Sequence, residues 1–176
     1  MEAIRHLAYC GRCGAQAPGQ TDERGGPFRC GACGFTLFFN AAGAVAAVIR
    51  RPDGAVLFVR REKDPAKGTL GLPGGFIDPG ESAEEALSRE IREEVGLDLR
   101  DVQYLCSHAN RYLFSGVTYH TVDLFYTAQA DDSHQAKALD AVAAVEWLHP
   151  AAVPAEEIAF ESMRAALRVL SEKRGG

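Results

Sequence analysis

Apolar and polar positions change period several times along this chain, and each change marks an element. Residues 44–50 and 55–60 are nearly continuous runs of Ala, Val, Ile, Leu and Phe. Runs this short around Pro52-Asp53-Gly54 predict two buried strands joined by a hairpin turn. Residues 70–72 form a shorter apolar run that leads into the Gly/Pro-rich loop Leu72-Pro-Gly-Gly-Phe76. Residues 102–106 and 119–128 are rich in β-branched and aromatic side chains and read as strands. Residues 142–148 read the same way, followed by a loop from Pro150 to Pro154.

Two stretches repeat with a helical period instead. Leu87, Ile91 and Val95 recur at i, i+4 and i+8, making one apolar stripe. Ile158, Met163, Ala166, Leu167 and Leu170 outline an amphipathic closing helix over residues 155–172. Strands between two helices predict an α/β fold in which helices sandwich a mixed sheet.

The first helix has end signals and a distinctive polar face. Ser82 stands as an N-cap with Glu85 three residues on, the capping-box pattern. Gly96 stands where a left-handed residue would end the helix. Glu90 and Glu94 lie about 40° apart beside the apolar stripe, with Glu93 on their other flank. Their Cβ atoms fall roughly 5–6 Å apart, within reach of one shared cation or a pair. Carboxylate oxygens are hard donors, so the expected ion is Mg²⁺ or Mn²⁺. A solvated, ion-paired face is the bland alternative, because Glu85–Arg89 and Arg89–Glu93 are both spaced i,i+4. The Gly/Pro loop and Glu81 ahead of the helix favour the catalytic reading.

The run Gly75-x5-Glu81-x7-Arg89-Glu90-Ile91-x-Glu93-Glu94-x-Gly96-Leu97 fills every specified position of the Nudix box. The chain resembles the Nudix hydrolases over roughly residues 40–172, which implies an α/β/α sandwich. In that family the glutamates matching Glu90 and Glu94 bind metal, and Glu93 matches a further ligand or a base. The residue before the box, here Gly74, offers its carbonyl to the metal. Arg89 and Glu81 match an ion pair that orients the helix glutamates. The general base varies within the family, leaving Glu93, Asp140 and Glu146 as candidates. Nudix domains often dimerise, so a homodimer is a further implication.

A second signal lies near the N-terminus. Cys10-Gly-Arg-Cys13 and Cys30-Gly-Ala-Cys33 are separated by sixteen residues, a four-cysteine zinc spacing. Gly11, Gly14, Gly31 and Gly34 follow the cysteines and permit tight turns. Four thiolates close a tetrahedral ion, so the site is expected to be structural. Disulfides or a redox pair are the competing readings, and disulfides need an oxidising compartment. Cys106 lies in an apolar run and reads as a small buried hydrophobe. A ribbon over residues 1–39 and a Nudix domain over 40–176 are therefore expected, joined near residues 39–43.

Composition adds limits. The chain has 176 residues, 47% of them hydrophobic, and a net charge of −5. That balance argues against a general nucleic-acid binder. Residues 1–40 carry four Arg and three acidic side chains, so the ribbon has no strong charge bias. The first six residues carry no apolar signal core, and the apolar run 41–49 is too short to span a bilayer. A protein of the cytoplasm is expected. His108, His120, His134 and His149 fit no metal spacing.

A ribbon ahead of a Nudix domain is similar to the arrangement in NADH pyrophosphatases. Those enzymes carry a Ser-Gln-Pro-Trp-Pro-Phe-Pro array after the box, which this chain lacks. Ser107-His-Ala-Asn-Arg-Tyr-Leu-Phe-Ser115 stands in its place. Arg111 there can meet a phosphate, and Tyr112 or Phe114 can stack a base. Tyr112 and Phe114 read equally well as core or hairpin residues. Glu156-Glu-Ile-Ala-Phe160 resembles the segment before the last helix in ADP-ribose-type Nudix enzymes, which makes Phe160 a candidate pocket residue. The expected reaction is metal-dependent hydrolysis of the pyrophosphate in a small nucleotide, either ADP-ribose or an NADH-like dinucleotide. A non-catalytic nucleotide sensor that docks a partner through its ribbon is the alternative class. RNA 5′-end processing is disfavoured by the acidic balance.

Overall fold

The computed structural model describes residues 7–17, 26–130 and 135–173. His134 lies outside them. The chain divides into two compact units, one of Met1–Ala41 with Arg111–His120 and one of Ala42–Asn110 with Thr121–Gly176.

The larger unit is built on two three-stranded sheets. The first has the order β3 (Ala42–Ile49), β7 (Val117–Ala130), β6 (Leu99–Phe114). The second has the order β5 (Leu70–Gly71), β4 (Val56–Arg61), β8 (Val142–Leu148). β3 runs parallel to β7, from Ala42↔Thr121 to Ile49↔Ala128, so the sheet is mixed as expected. β4 runs antiparallel to β8.

β3 and β4 are buried on both faces, which explains their nearly unbroken apolar runs. Val45, Ala47, Ile49, Leu57 and Val59 pack with helix α1 (Ala83–Val95). The alternate residues Ala46, Val48, Val56 and Phe58 pack with helix α2 (Glu161–Glu172). Strand alternation therefore sends each strand's side chains to two separate cores, one under each helix.

The turn at residues 51–55 forms as expected, with the Arg51 N–H on the Ala55 carbonyl at 2.9 Å. The paired hairpin does not. Only an isolated bridge, Arg50↔Val56, joins the two strands, which then enter different sheets. Each satisfies its backbone on another partner, β7 for β3 and β8 for β4. The expected strand at 102–106 is also too short, since β6 runs from Leu99 to Phe114. Its polar and aromatic alternation hides it from a search for apolar runs. β6 and β7 meet at Ser115-Gly116, whose φ values of 48° and 78° suit a two-residue hairpin turn.

A single helix over 155–172 is likewise not what forms. Ala155–Glu157 makes a 3-10 turn, then Ile158 bridges Leu70 and the Ala159 N–H donates to the Leu70 carbonyl at 2.8 Å. That bond to the sheet edge holds Phe160 extended at φ −129°, and α2 begins after it. The α1 ends match expectation. Ser82 Oγ accepts from the Glu85 N–H, Glu85 Oε2 accepts from the Ser82 N–H, and Gly96 is left-handed.

In the smaller unit, β1 (Phe28–Arg29) pairs antiparallel with β2 (Thr36–Leu37). Phe28, Cys10 and Cys30 are buried there with Phe35 and Phe39 packed against them. A core of this size is too small to hold a fold by itself.

Candidate active site

The loop ahead of α1 is laid along β3 by three backbone bonds. Val45 N–H donates to Gly75 O at 2.8 Å, Ala47 N–H to Pro73 O at 2.9 Å, and Ile77 N–H to Gly43 O at 3.0 Å. Gly74 has φ 144°, and a Cβ on it would collide with Val45 O and stand 2.7 Å from Ala46 Cα. Only glycine fits where the loop presses so closely on the strand.

Gly74 turns its N–H away from β3 and donates to Glu94 Oε2 at 2.9 Å. Gly75 lies against the Glu90 carboxylate, whose oxygens would be 2.5 Å from a Cβ placed there. The two glycines thus bring backbone against two helix carboxylates. Burial pushes Glu94 up to about 7, while the Gly74 N–H draws it down. Burial also raises Glu90, against the pull of Arg89.

Arg89 ties the acidic face together. Its Nε and Nη2 take the two oxygens of Glu81 at 2.7 and 2.8 Å, a bidentate pair. Nη1 reaches Glu90 Oε1 at 2.8 Å and Glu93 Oε2 at 3.2 Å, and Nη2 also donates to Phe76 O at 3.1 Å. The hydrogen bonds from Arg89 hold Glu81 down at about 2, and those to Glu81 and Glu90 raise Arg89. Of the two expected i,i+4 ion pairs, Arg89–Glu93 forms at 3.2 Å. The Glu85 carboxylate instead accepts from the Ser82 N–H as part of the cap.

The C-terminal turn of α1 is closed by the segment before β8. Asp140, Leu139 and Lys137 donate their N–H groups to the carbonyls of Glu93, Glu94 and Val95 at 3.2, 3.0 and 3.1 Å. These bonds satisfy carbonyls that a helix end leaves open. They also fix the Asp140 backbone to the acidic turn, with its carboxylate 3.7 Å from Lys63 Nζ. Glu146 is differently placed. Its Oε1 meets Arg60 Nε at 2.8 Å and Nη2 at 2.7 Å.

Phe160 is half-buried, and the Arg61 guanidinium carbon stands 5.1 Å from its ring centroid. Arg61 also lies near enough to Glu94 to oppose the effect of burial on it. Sequence reasoning missed Arg61; its place at the end of an apolar strand, before the Gly/Pro loop, was the available signal. Arg111 and Tyr112 lie on β6 in the smaller unit, where Tyr112 and Phe114 stack with centroids 6.4 Å apart. Both aromatics lie on the hairpin of β6 and β7. Cys106 is half-buried against the α2 core, and burial raises its thiol. Among the remaining histidines, His108 sits 6.4 Å from Phe125, while His120 and His149 are exposed.

The cysteines form a second cluster, all four Sγ atoms within 4.8 Å of one another. Cys10–Cys33 and Cys13–Cys30 are 3.8 and 3.7 Å apart. Tetrahedral zinc with Zn–S bonds of about 2.3 Å requires edges of roughly 3.8 Å, so the set fits that ion. The two knuckles repeat one geometry, with Gly14 N–H on Cys10 O and Gly34 N–H on Cys30 O, both 2.9 Å. Gly14 and Gly34 have φ of 70° and 72°; Gly11 and Gly31 take no such conformation. The Cys13 backbone N–H helps hold the Cys10 thiol down at about 6. Among the described residues, no helix is long and apolar enough to cross a membrane.

A mixed-sheet sandwich with a carboxylate helix closed over a Gly/Pro loop defines a class of phosphoanhydride hydrolases. The NUDIX domain model matches residues 41–169, and this chain belongs to that family. It is 33% identical over 99 residues to the NAD-capped RNA hydrolase NudC of Stutzerimonas stutzeri, covering 56% of this chain and 34% of that protein. It is 44% identical over 63 residues to the ADP-ribose pyrophosphatase of Methanocaldococcus jannaschii, covering 36% and 37%. The chain thus spans about a third of the length of these curated relatives. Its structure is similar to the NUDIX domain of Shewanella oneidensis NrtR complexed with ADP ribose, at TM-score 0.62 and 26% identity over 77% of this chain and 90% of that one.

Proposed function

We propose that this chain is a divalent-metal-dependent pyrophosphohydrolase of the cytoplasm, with residues 40–176 catalytic and 1–39 a zinc ribbon. Its substrate is a nucleoside diphosphate linked to another moiety, with ADP-ribose or an NADH-like dinucleotide preferred. The observation that carries this reading is the half-buried Glu94 carboxylate, gripped by the Gly74 N–H beside Glu90 and Glu93. Such crowding of acids costs stability by itself and suits a cation.

Glu90, Glu93, Glu94 and the Gly74 carbonyl are the ligands in this reading, all hard oxygen donors. Bound Mg²⁺ or Mn²⁺ would neutralise phosphate charge and make water more acidic. Glu81 and Arg89 orient the carboxylates rather than touch substrate. Glu93, Asp140 and Glu146 are the candidates for the base that takes the proton from water, each set beside a cation, Arg89, Lys63 and Arg60 in turn. The ADP-ribose pyrophosphatase and NAD-capped RNA hydrolase relatives support the substrate class. A non-catalytic sensor would need no complete carboxylate set.

The test is a panel of ADP-ribose, NADH and nucleoside triphosphates with Mg²⁺ or Mn²⁺, read by phosphate release after phosphatase coupling. Wild type should cleave ADP-ribose or NADH, and the Glu93→Gln/Glu94→Gln double variant should lose that activity. No product from wild type on any of these substrates would overturn the reading.

A further inference from the structure

Arg61 ends β4 half-buried, and its stem crosses Gly71, where a Cβ would stand 3.8 Å from Arg61 Cγ. Its Nε donates to the Pro65 carbonyl at 2.8 Å, and its guanidinium faces the Phe160 ring. Those two contacts fix the plane of the group. They leave Nη1 and Nη2 without a hydrogen-bond or ion-pair partner among the described residues. The neighbouring arginines differ. Arg60 is taken by Glu146 and the Gly68 carbonyl, and Arg89 by Glu81, Glu90 and Glu93.

A half-buried guanidinium with two amino groups uncommitted is a fork awaiting an anion, because desolvated N–H donors are costly to leave unpaired. Glu94 feels the charge of Arg61, yet among the described residues no carboxylate forms an ion pair with it. A substrate diphosphate brings the missing oxygens. It also carries negative charge into a site crowded by Glu90, Glu93 and Glu94, where a fixed cation offsets repulsion.

We infer that Arg61 is a phosphate-binding residue of this site, holding two oxygens of a diphosphate through Nη1 and Nη2 with Phe160 backing its plane. This rests on the pyrophosphohydrolase reading above. The competing role is a tether, in which the Nε–Pro65 bond merely secures residues 62–68.

Calorimetry of ADP-ribose and inorganic pyrophosphate with Mg²⁺, on wild type, Arg61→Gln and Arg61→Lys, separates these roles. Arg61→Gln should weaken both ligands roughly ten- to a hundredfold and raise KM similarly, leaving adenosine binding unchanged. Arg61→Lys keeps the charge without the fork and should recover part of the loss. Binding of both ligands within twofold of wild type in Arg61→Gln overturns the inference. So does a lowered Tm and kcat with unchanged Kd and KM, the signature of a tether, or a wild type that binds neither ligand. If wild type binds a diphosphate but cleaves nothing, the proposed activity fails while the Arg61 comparison still decides this point.

Discussion

Gly75 and Glu90 share a contact that any side chain at position 75 would break: the glutamate carboxylate lies where a Gly75 Cβ would be, its oxygens 2.5 Å from that position. The carboxylate belongs to a helix held in place by Leu87, Ile91 and Val95 in the core beneath it. The loop cannot retreat either, since the Gly75 carbonyl accepts from Val45 in β3. Gly75→Ala therefore has to turn the Glu90 side chain away. Affinity for Mn²⁺ should fall roughly 10–100-fold, as for changes that misplace metal ligands. Titration of Mn²⁺ by electron paramagnetic resonance checks this; unchanged affinity would sink it.

The Glu81–Arg89 pair makes an acid-sensitivity prediction. Hydrogen bonds from Arg89 hold Glu81 down at about 2, below its ordinary 4.5. A carboxyl with a depressed folded pKa stabilises fully above its unfolded value and loses that contribution as pH falls through the folded one. Wild type should therefore melt higher than Glu81→Gln at pH 6, and the gap should close between pH 4.5 and 2. Thermal unfolding at several pH values reads it. A gap that stays constant down to pH 2 would contradict the pairing.

How much of this was legible beforehand depended on whether local spacing decided the matter. The caps at Ser82 and Gly96, the Leu87–Ile91–Val95 stripe and the Cys-x2-Cys knuckles are contacts within a few residues, and they formed as read. The pairing of β3 with β7 and the exit of β4 to another sheet depend on strands more than seventy residues away, beyond any local pattern. β6 escaped notice past Cys106 because its next residues alternate between exposed and half-buried positions. Arg61 stood at a strand end before the Gly/Pro loop, but its neighbours Phe160 and Glu94 are brought to it only by the fold.

The cysteine cluster predicts stoichiometric metal. Sulfur separations of 3.7 and 3.8 Å already match a tetrahedral ion, so the purified protein should hold one zinc per chain. Cys13→Ser or Cys30→Ser should lower that content by at least half and unfold the smaller unit, whose apolar core is only a few residues. Elemental analysis measures the first effect. Faster proteolysis between residues 7 and 41 measures the second. Full zinc retention in both variants would argue that the thiols do another job.

The last prediction concerns Glu94, which burial raises to about 7 from an ordinary 4.5. A carboxyl whose folded pKa exceeds its unfolded one binds its proton more tightly in the native state, so the sign is opposite to that of Glu81. Without added divalent cation, stability should fall as pH rises from about 4.5 through 7 and then level off. That rise corresponds to a penalty on the order of 3 kcal/mol for the ionised form above pH 7. Glu94→Gln keeps an acceptor for the Gly74 N–H and removes the charge, so it should be the more stable protein at pH 8 and nearly equal at pH 4.5. Adding Mn²⁺ at pH 8 should then raise wild type more than the variant, which keeps Glu90 and Glu93 but lacks the Glu94 charge. Urea unfolding at both pH values, with and without Mn²⁺, measures all four combinations. A variant no more stable than wild type at pH 8 in the absence of cation would show that Glu94 is not strained by its burial, and the case for a cation there would lose its main physical support.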